Sequence, residues 1–217
     1  LDYYSYDIEN VITKDTQFKF TTFGNDPSVV QRLPSSVAGD PGEVVRVFDQ
    51  FENIGNVKTS GIDFEANYKL ESAVGELNFG YTLNYVLNYE DTRPALEAGE
   101  AARVFAQEGD FEQPEVRWTF NTAWTQDEWG ASVAVNYIGA FEQEESVQKD
   151  GMSDVDAMTT IDASVNYTGL ENLTITLGAT NLTNEEPPFA YNYFMGFVGS
   201  THSSQGRFMY LSASYKF

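Results

Sequence analysis

The sequence predicts an all-β protein, a transmembrane antiparallel β-barrel to which this chain supplies about eight strands, and three observations carry that expectation. Apolar and polar residues alternate strictly in one segment after another. The connections between these segments alternate in length. No stretch of the 217 residues approaches the roughly 20 consecutive apolar residues of a membrane-spanning helix, at a mean hydropathy of -0.37 and a hydrophobic fraction of 41%.

Alternation with a period of two places successive side chains on opposite faces of a strand. In chain order, Tyr4, Tyr6 and Ile8 oppose Ser5, Asp7 and Glu9. Ile62, Phe64, Ala66, Tyr68 and Leu70 then oppose Asp63, Glu65, Asn67 and Lys69. The segment Leu77 to Tyr89 sets seven apolar or aromatic positions against Asn78, Gly80, Thr82 and Asn84. Val116, Trp118, Phe120, Thr122 and Trp124 alternate with Arg117, Thr119, Asn121 and Ala123, and Ala131, Val133, Val135 and Tyr137 with Ser132, Ala134 and Asn136. Ile161, Ala163, Val165 and Tyr167 alternate with Asp162, Ser164 and Asn166, and Leu173, Ile175, Leu177 and Ala179 with Thr174, Thr176, Gly178 and Thr180. The final strand, Arg207 to Phe217, puts Met209, Leu211, Ala213, Tyr215 and Phe217 on one face.

Between these segments, Thr13 to Gln50, Glu90 to Pro114, Gly139 to Thr159 and Thr183 to Gln205 are long, whereas Glu71 to Glu76, Gln126 to Gly130 and Gly169 to Asn172 are short. In outer-membrane barrels short turns face the periplasm and long loops face outward, so Phe217 is expected at the periplasmic side. Tyr68, Trp124, Trp129, Tyr167, Tyr215 and Phe217 gather near the short turns, as an interfacial girdle requires. Soluble sandwiches and jelly rolls also alternate, but their inner faces are apolar cores. Here the polar face is mostly Ser, Thr, Asn and Gly, which suits a wet lumen. A small closed barrel of eight strands would fill its interior with side chains while starting in mid-strand at Leu1. The chain begins Leu1-Asp2-Tyr3-Tyr4 without initiator Met or apolar leader, and is read as processed or truncated.

Charge narrows the function classes. Thirty-three acidic residues against 12 basic ones give a formal net charge of -21, so no nucleic-acid partner is expected, because phosphate binding needs clustered Lys and Arg. Cysteine is absent, which removes disulfides and thiolate metal sites. His202 is the only histidine, so multi-histidine metal motifs are excluded, and Ser203 and Ser204 beside it make no triad. A loop histidine in contact with solvent or ligand is expected there. No phosphate-cradling or dinucleotide glycine motif occurs, and the chain is expected not to be an enzyme. The Asn-X-Thr triplets at Asn166, Asn172 and Asn181 are assigned no role in a bacterial-type barrel.

Two loop features are candidate sites. Phe189, Tyr191, Tyr193, Phe194 and Phe197 lie in the last long connection, near Pro187 and Pro188, where aromatic rings could stack on a ligand. Phe189, Tyr191, Tyr193 and Phe194 with His202 form the candidate ligand-binding set, and the simpler reading is that the rings pack on neighbouring loops or enter the outer aromatic girdle. The run Asp150 to Asp156 offers Asp150, Asp154 and Asp156 as oxygen ligands for Ca²⁺, although its spacing is not that of an EF-hand, and a solvated acidic face is the simpler reading. No other cofactor is expected.

Several segments resemble the C-terminal barrel region of TonB-dependent outer-membrane receptors. They are Asp2-Tyr3-Tyr4 with Ile8-Glu9-Asn10-Val11-Ile12, the run Asn53 to Glu65, Leu173 to Asn184 followed by Glu186-Pro187-Pro188, and Gly206-Arg207 leading to Tyr215-Lys216-Phe217. Their order over nearly the whole of 1–217 carries the resemblance. It implies a barrel of about 22 strands, of which this chain would be the last eight or so, with an N-terminal plug and the first strands outside it. It also implies import of a scarce nutrient, ferric siderophore by default and otherwise cobalamin, oligosaccharide or peptide. The implied partners are the remaining barrel and plug, TonB, outer-membrane lipid and the barrel-assembly machinery, the last reading Leu211, Tyr215 and Phe217 as a C-terminal signal. The rival readings are a passive porin or structural barrel and, more distantly, a surface enzyme or adhesin.

Overall fold

A computed structural model describes residues 1–110, 113–143, 154–191 and 195–217. The first elements are β1 (Asp2–Thr13), α1 (Thr16–Phe23), β2 (Val30–Arg32), β3 (Val44–Val47), β4 (Glu52–Ser72) and β5 (Gly75–Arg93). They are followed by β6 (Arg103–Gln107), β7 (Val116–Gln126), β8 (Trp129–Ile138), β9 (Phe141–Glu142) and β10 (Asp154–Val155). The last are β11 (Met158–Leu170), β12 (Leu173–Thr180) and β13 (Phe208–Tyr215).

Eight strands form one antiparallel path, β1-β4-β5-β7-β8-β11-β12-β13, with β6 attached to the C-terminal end of β5. These are the eight segments whose alternation marks them in the sequence. Each neighbour in the path is the next long strand along the chain, so the sheet is an up-and-down meander whose end strands, β1 and β13, are not joined. The three short turns are tight. Gly75, Asp127 and Asn172 adopt positive φ of 108°, 50° and 57° in them, a region that Gly and the short polar Asn and Asp enter at least cost. The final strand stops at Tyr215, short of the expected Phe217, and Lys216 N–H bonds the Asn172 carbonyl across the turn at 2.8 Å.

Register is set by the faces. Leu77, Trp124, Ala131, Val165, Leu177 and Leu211 stand in one cross-strand row, and Tyr81, Phe120, Val135 and Ile161 in another. A slip by one residue would turn a whole strand's apolar set to the polar side. Aromatic pairs knit the apolar face: Trp118 stacks on Tyr137 at 5.2 Å, and Trp129 meets Tyr167 at 4.7 Å beside the short turns. Among the described residues, large apolar side chains of this face stand open. Leu177 is 54% exposed and Leu211 74%, as residues facing hydrocarbon would be.

The chain divides into two compact units. One comprises Leu1–Tyr4, Ser60–Leu87 and Glu108–Phe217 and holds most of the sheet. The other comprises Ser5–Thr59 and Asn88–Gln107. In the latter, the long connection after β1 contains α1 and the β2–β3 hairpin. Asp15 caps α1 by accepting Phe18 N–H at 2.8 Å, and Arg103 pairs with Asp15. Lys14, Lys19, Arg32 and Arg46 each sit over a phenyl ring, those of Phe51, Phe23, Phe20 and Phe48 respectively. The helix is only eight residues of mostly aromatic and β-branched type, so its cap and tertiary contacts hold it rather than propensity.

Candidate functional site

The polar face of the larger unit is a trough of about 480 Å³, with Asn67, Lys69, Asn121, Ser132, Asp162 and Ser164 among its lining residues. Its groups bond to one another across strands. Ser132 and Ser164 hydroxyls share a hydrogen bond of 2.8 Å, and Asn84 Nδ2 donates to Asp63 at 2.7 Å. Thr119 Oγ1 donates to Asn136 Oδ1 at 3.1 Å, and Asn136 Nδ2 donates to Asp162 Oδ2, also at 3.1 Å. The second carboxylate oxygen of Asp162 accepts the backbone N–H of Asn181 at 2.8 Å. A polar relay therefore runs from β7 through β8 and β11 to the root of the last long loop.

Asn181 clasps that loop. It follows β12 with a φ of 48°, is 6% exposed, and turns its amide into the loop neck. Its Nδ2 donates to the carbonyls of Glu185 at 2.8 Å and Gln205 at 3.3 Å, while its Oδ1 accepts Glu185 N–H at 2.8 Å. Asn184 Oδ1 accepts Arg207 N–H at 2.9 Å, and Arg207 Nη1 donates to the Leu182 carbonyl at 3.3 Å. Two amide side chains thus tie the outgoing and returning ends of the 182–206 loop together. The Asn181-to-Asn184 segment marked by its family resemblance has this physical content.

Beyond the neck, the loops pack into a cap. Phe141, Val155, Ala190 and Val198 form a buried apolar cluster drawn from β9, β10 and the last loop. Gln143 Oε1 accepts Tyr191 N–H at 2.8 Å, and Val198 O accepts His202 N–H at 2.8 Å. The His202 ring lies on the Phe141 ring at 5.8 Å, with planes 11° apart. The solvated loop position expected for His202 is corrected: it is 3% exposed, because stacking on Phe141 and the tight turn from Val198 draw it into the cap. Neither ring nitrogen has a hydrogen-bond partner among the described residues. Burial pushes its pKa below the ordinary value, and the Arg117 guanidinium adds to that shift.

The remaining candidates divide. Phe189 and Tyr191 are exposed on the last loop, at 66% and 42%, and Phe197 is half-buried, so the loop does present rings outward. Tyr193 and Phe194 lie outside the described residues, as does Asp150. Asp154 and Asp156 are exposed, and among the described residues no three His, Asp or Glu groups converge as metal ligands would. Leu211 and Tyr215 are exposed on the apolar side of β13; Phe217 is exposed beyond it and meets Tyr215 edge-on at 5.2 Å. Sequence reasoning passed over Asp162, Asn181 and Arg117. Asp162 had one visible signal, as an acid in a strand whose other inward positions are Ser and Asn.

A single antiparallel sheet, apolar on one side and lined on the other by bonded amides and hydroxyls, with long loops folded at one end, defines a segment of a membrane β-barrel. The chain belongs to the family described as TonB dependent receptor-like, beta-barrel, whose sequence profile matches residues 1–182. Proteins of this family reside in the outer membrane. Among solved structures, a mutant of the ferric enterobactin receptor from Pseudomonas aeruginosa in complex with enterobactin is similar over 99% of this chain, at 18% identity and a TM-score of 0.63. The same receptor in complex with BCV-L6 is similar at 18% identity and a TM-score of 0.61, again over 99% of the chain. A copper transporter, OprC, is similar at 13% identity and a TM-score of 0.55 over 99% of the chain. The chain spans 28% of the length of each of these structures. No curated protein sequence matches it.

Proposed function

We propose that the chain is the C-terminal part of the barrel of a receptor that imports a scarce nutrient across the bacterial outer membrane with energy relayed by TonB. Ferric siderophore is the cargo class that the reading favours. The observation that carries it is the family match over residues 1–182 to a sheet with a polar, hydrogen-bonded inner face and an apolar outer face. In this reading a plug outside the chain fills the lumen and contacts TonB, the short turns and the C-terminus face the periplasm, and the long loops receive cargo at the cell surface. The exposed Phe189 and Tyr191 supply rings to that surface.

The test is uptake of iron-55 delivered as a ferric siderophore by cells expressing the full-length receptor, with and without TonB. TonB-dependent uptake is expected. Uptake that persists without TonB would identify a passive porin, and uptake confined to cobalamin, an oligosaccharide or a peptide would replace the cargo class.

A further inference from the structure

We propose that His202 is an acid-sensitive latch of the outer-loop cap: the cap closes over the neutral imidazole, wedged against Phe141 with both ring nitrogens unpartnered among the described residues, and loosens when the ring is protonated. A protonated imidazole carries two N–H donors and a charge, and each needs a partner that the described residues of this site do not supply. Among the described residues, the elements around the ring supply none. From β9, Phe141 faces it with an apolar ring while Glu142 is exposed on the other side of the strand. From β10, Val155 is buried in the cluster and Asp154 is exposed. From the loop itself, Val198 contributes a carbonyl already taken by His202 N–H, and Ser203 and Ser204 are exposed. Arg117 on β7 is the charged group that acts on the ring, and it opposes a second positive charge.

The direction follows from linkage. Burial and Arg117 hold the closed-state pKa below the ordinary value, whereas a ring freed by cap opening titrates near about 6.5. Below that pH the open cap binds more protons than the closed one, so closure weakens as the medium acidifies, by up to about tenfold per pH unit until the closed-state pKa is reached. A neutral medium keeps the cap shut, and an acidic one biases the loops towards opening without any change in the strands beneath.

Hydrogen exchange on the full-length receptor in detergent, corrected for intrinsic rates, reads the latch directly and requires no transport, so its outcome is independent of the import reading. The amides of Ala190, Tyr191 and His202, all bonded in the closed cap, are the reporters. Between pH 7.5 and 5.5 their opening is expected to rise, by up to about tenfold, with β11 and β12 amides unchanged. His202→Phe keeps a ring on Phe141 and is expected to abolish the pH response. Arg117→Gln removes the opposing charge and is expected to shrink the rise in opening, because the closed-state ring then titrates closer to its ordinary value and the driving force for opening is smaller. If His202→Phe fails to assemble, the wild type and Arg117→Gln still decide. An unchanged opening between the two pH values, a response that survives His202→Phe, or one that Arg117→Gln leaves at full size would overturn the proposal.

Discussion

The carboxylate of Asp162, on the inner face of β11, accepts the backbone N–H of Asn181 at 2.8 Å and thereby fixes the point where the sheet ends and the last long loop begins. Its other oxygen is held by Asn136 at 3.1 Å. One acid therefore joins wall to loop, at a residue whose neighbours on the same face of the strand are Thr160, Ser164 and Asn166.

Asp162→Ala removes both acceptors and strands the N–H of Asn181, which is 6% exposed. An unpaired buried donor costs about 1–3 kcal/mol. Thermal unfolding of the folded barrel band in a gel assay should shift down, and exchange at residues of the loop neck should rise. Unaltered protection at Glu185 and Arg207 would dissociate the acid from the clasp.

Gly178 stands opposite Tyr210, and the tyrosine ring occupies the space of the missing side chain: a Cβ at Gly178 would lie 2.3 Å from Tyr210 Cζ. Gly178→Ala should push the ring off the strand at a cost of about 1–3 kcal/mol. Adding Tyr210→Ser should return much of that loss, which denaturant titration of single and double variants would measure. Additive losses would contradict the shared-space account.

Leu177 and Thr176 are adjacent in β12 and face opposite sides of the sheet. Leu177→Arg is expected to destabilise the membrane-embedded barrel by about 2–4 kcal/mol, whereas Thr176→Arg on the polar side is tolerated. Folding equilibria in lipid vesicles distinguish the two. Equal penalties would mean that the two faces are wrongly assigned.

Phe217 extends past the end of β13 with its ring exposed. Deleting it should lower the amount of assembled receptor in the outer membrane while leaving uptake per assembled molecule unchanged. Quantitative surface labelling alongside uptake separates the two effects, and normal surface levels would rule out an assembly role.

The sequence by itself determined the eight strands, the two faces and the short turns, because each is written in neighbouring residues. Alternation at a period of two is local, and the Gly, Asp and Asn of the turns are the residues that accept positive φ. The faces also exclude any slip by an odd number of residues, and the row of Leu77, Trp124, Ala131, Val165, Leu177 and Leu211 obeys that limit. The tertiary structure alone decided the cap. Gln143 and Tyr191 are separated by 48 residues, Phe141 meets His202 from a different connection, and Asn181 reaches Gln205 across the whole last loop. Such contacts have no period and no local signature. His202, Ser203 and Ser204 read alike as polar loop residues in the chain, and only the packing of distant segments buries the first and leaves the other two exposed.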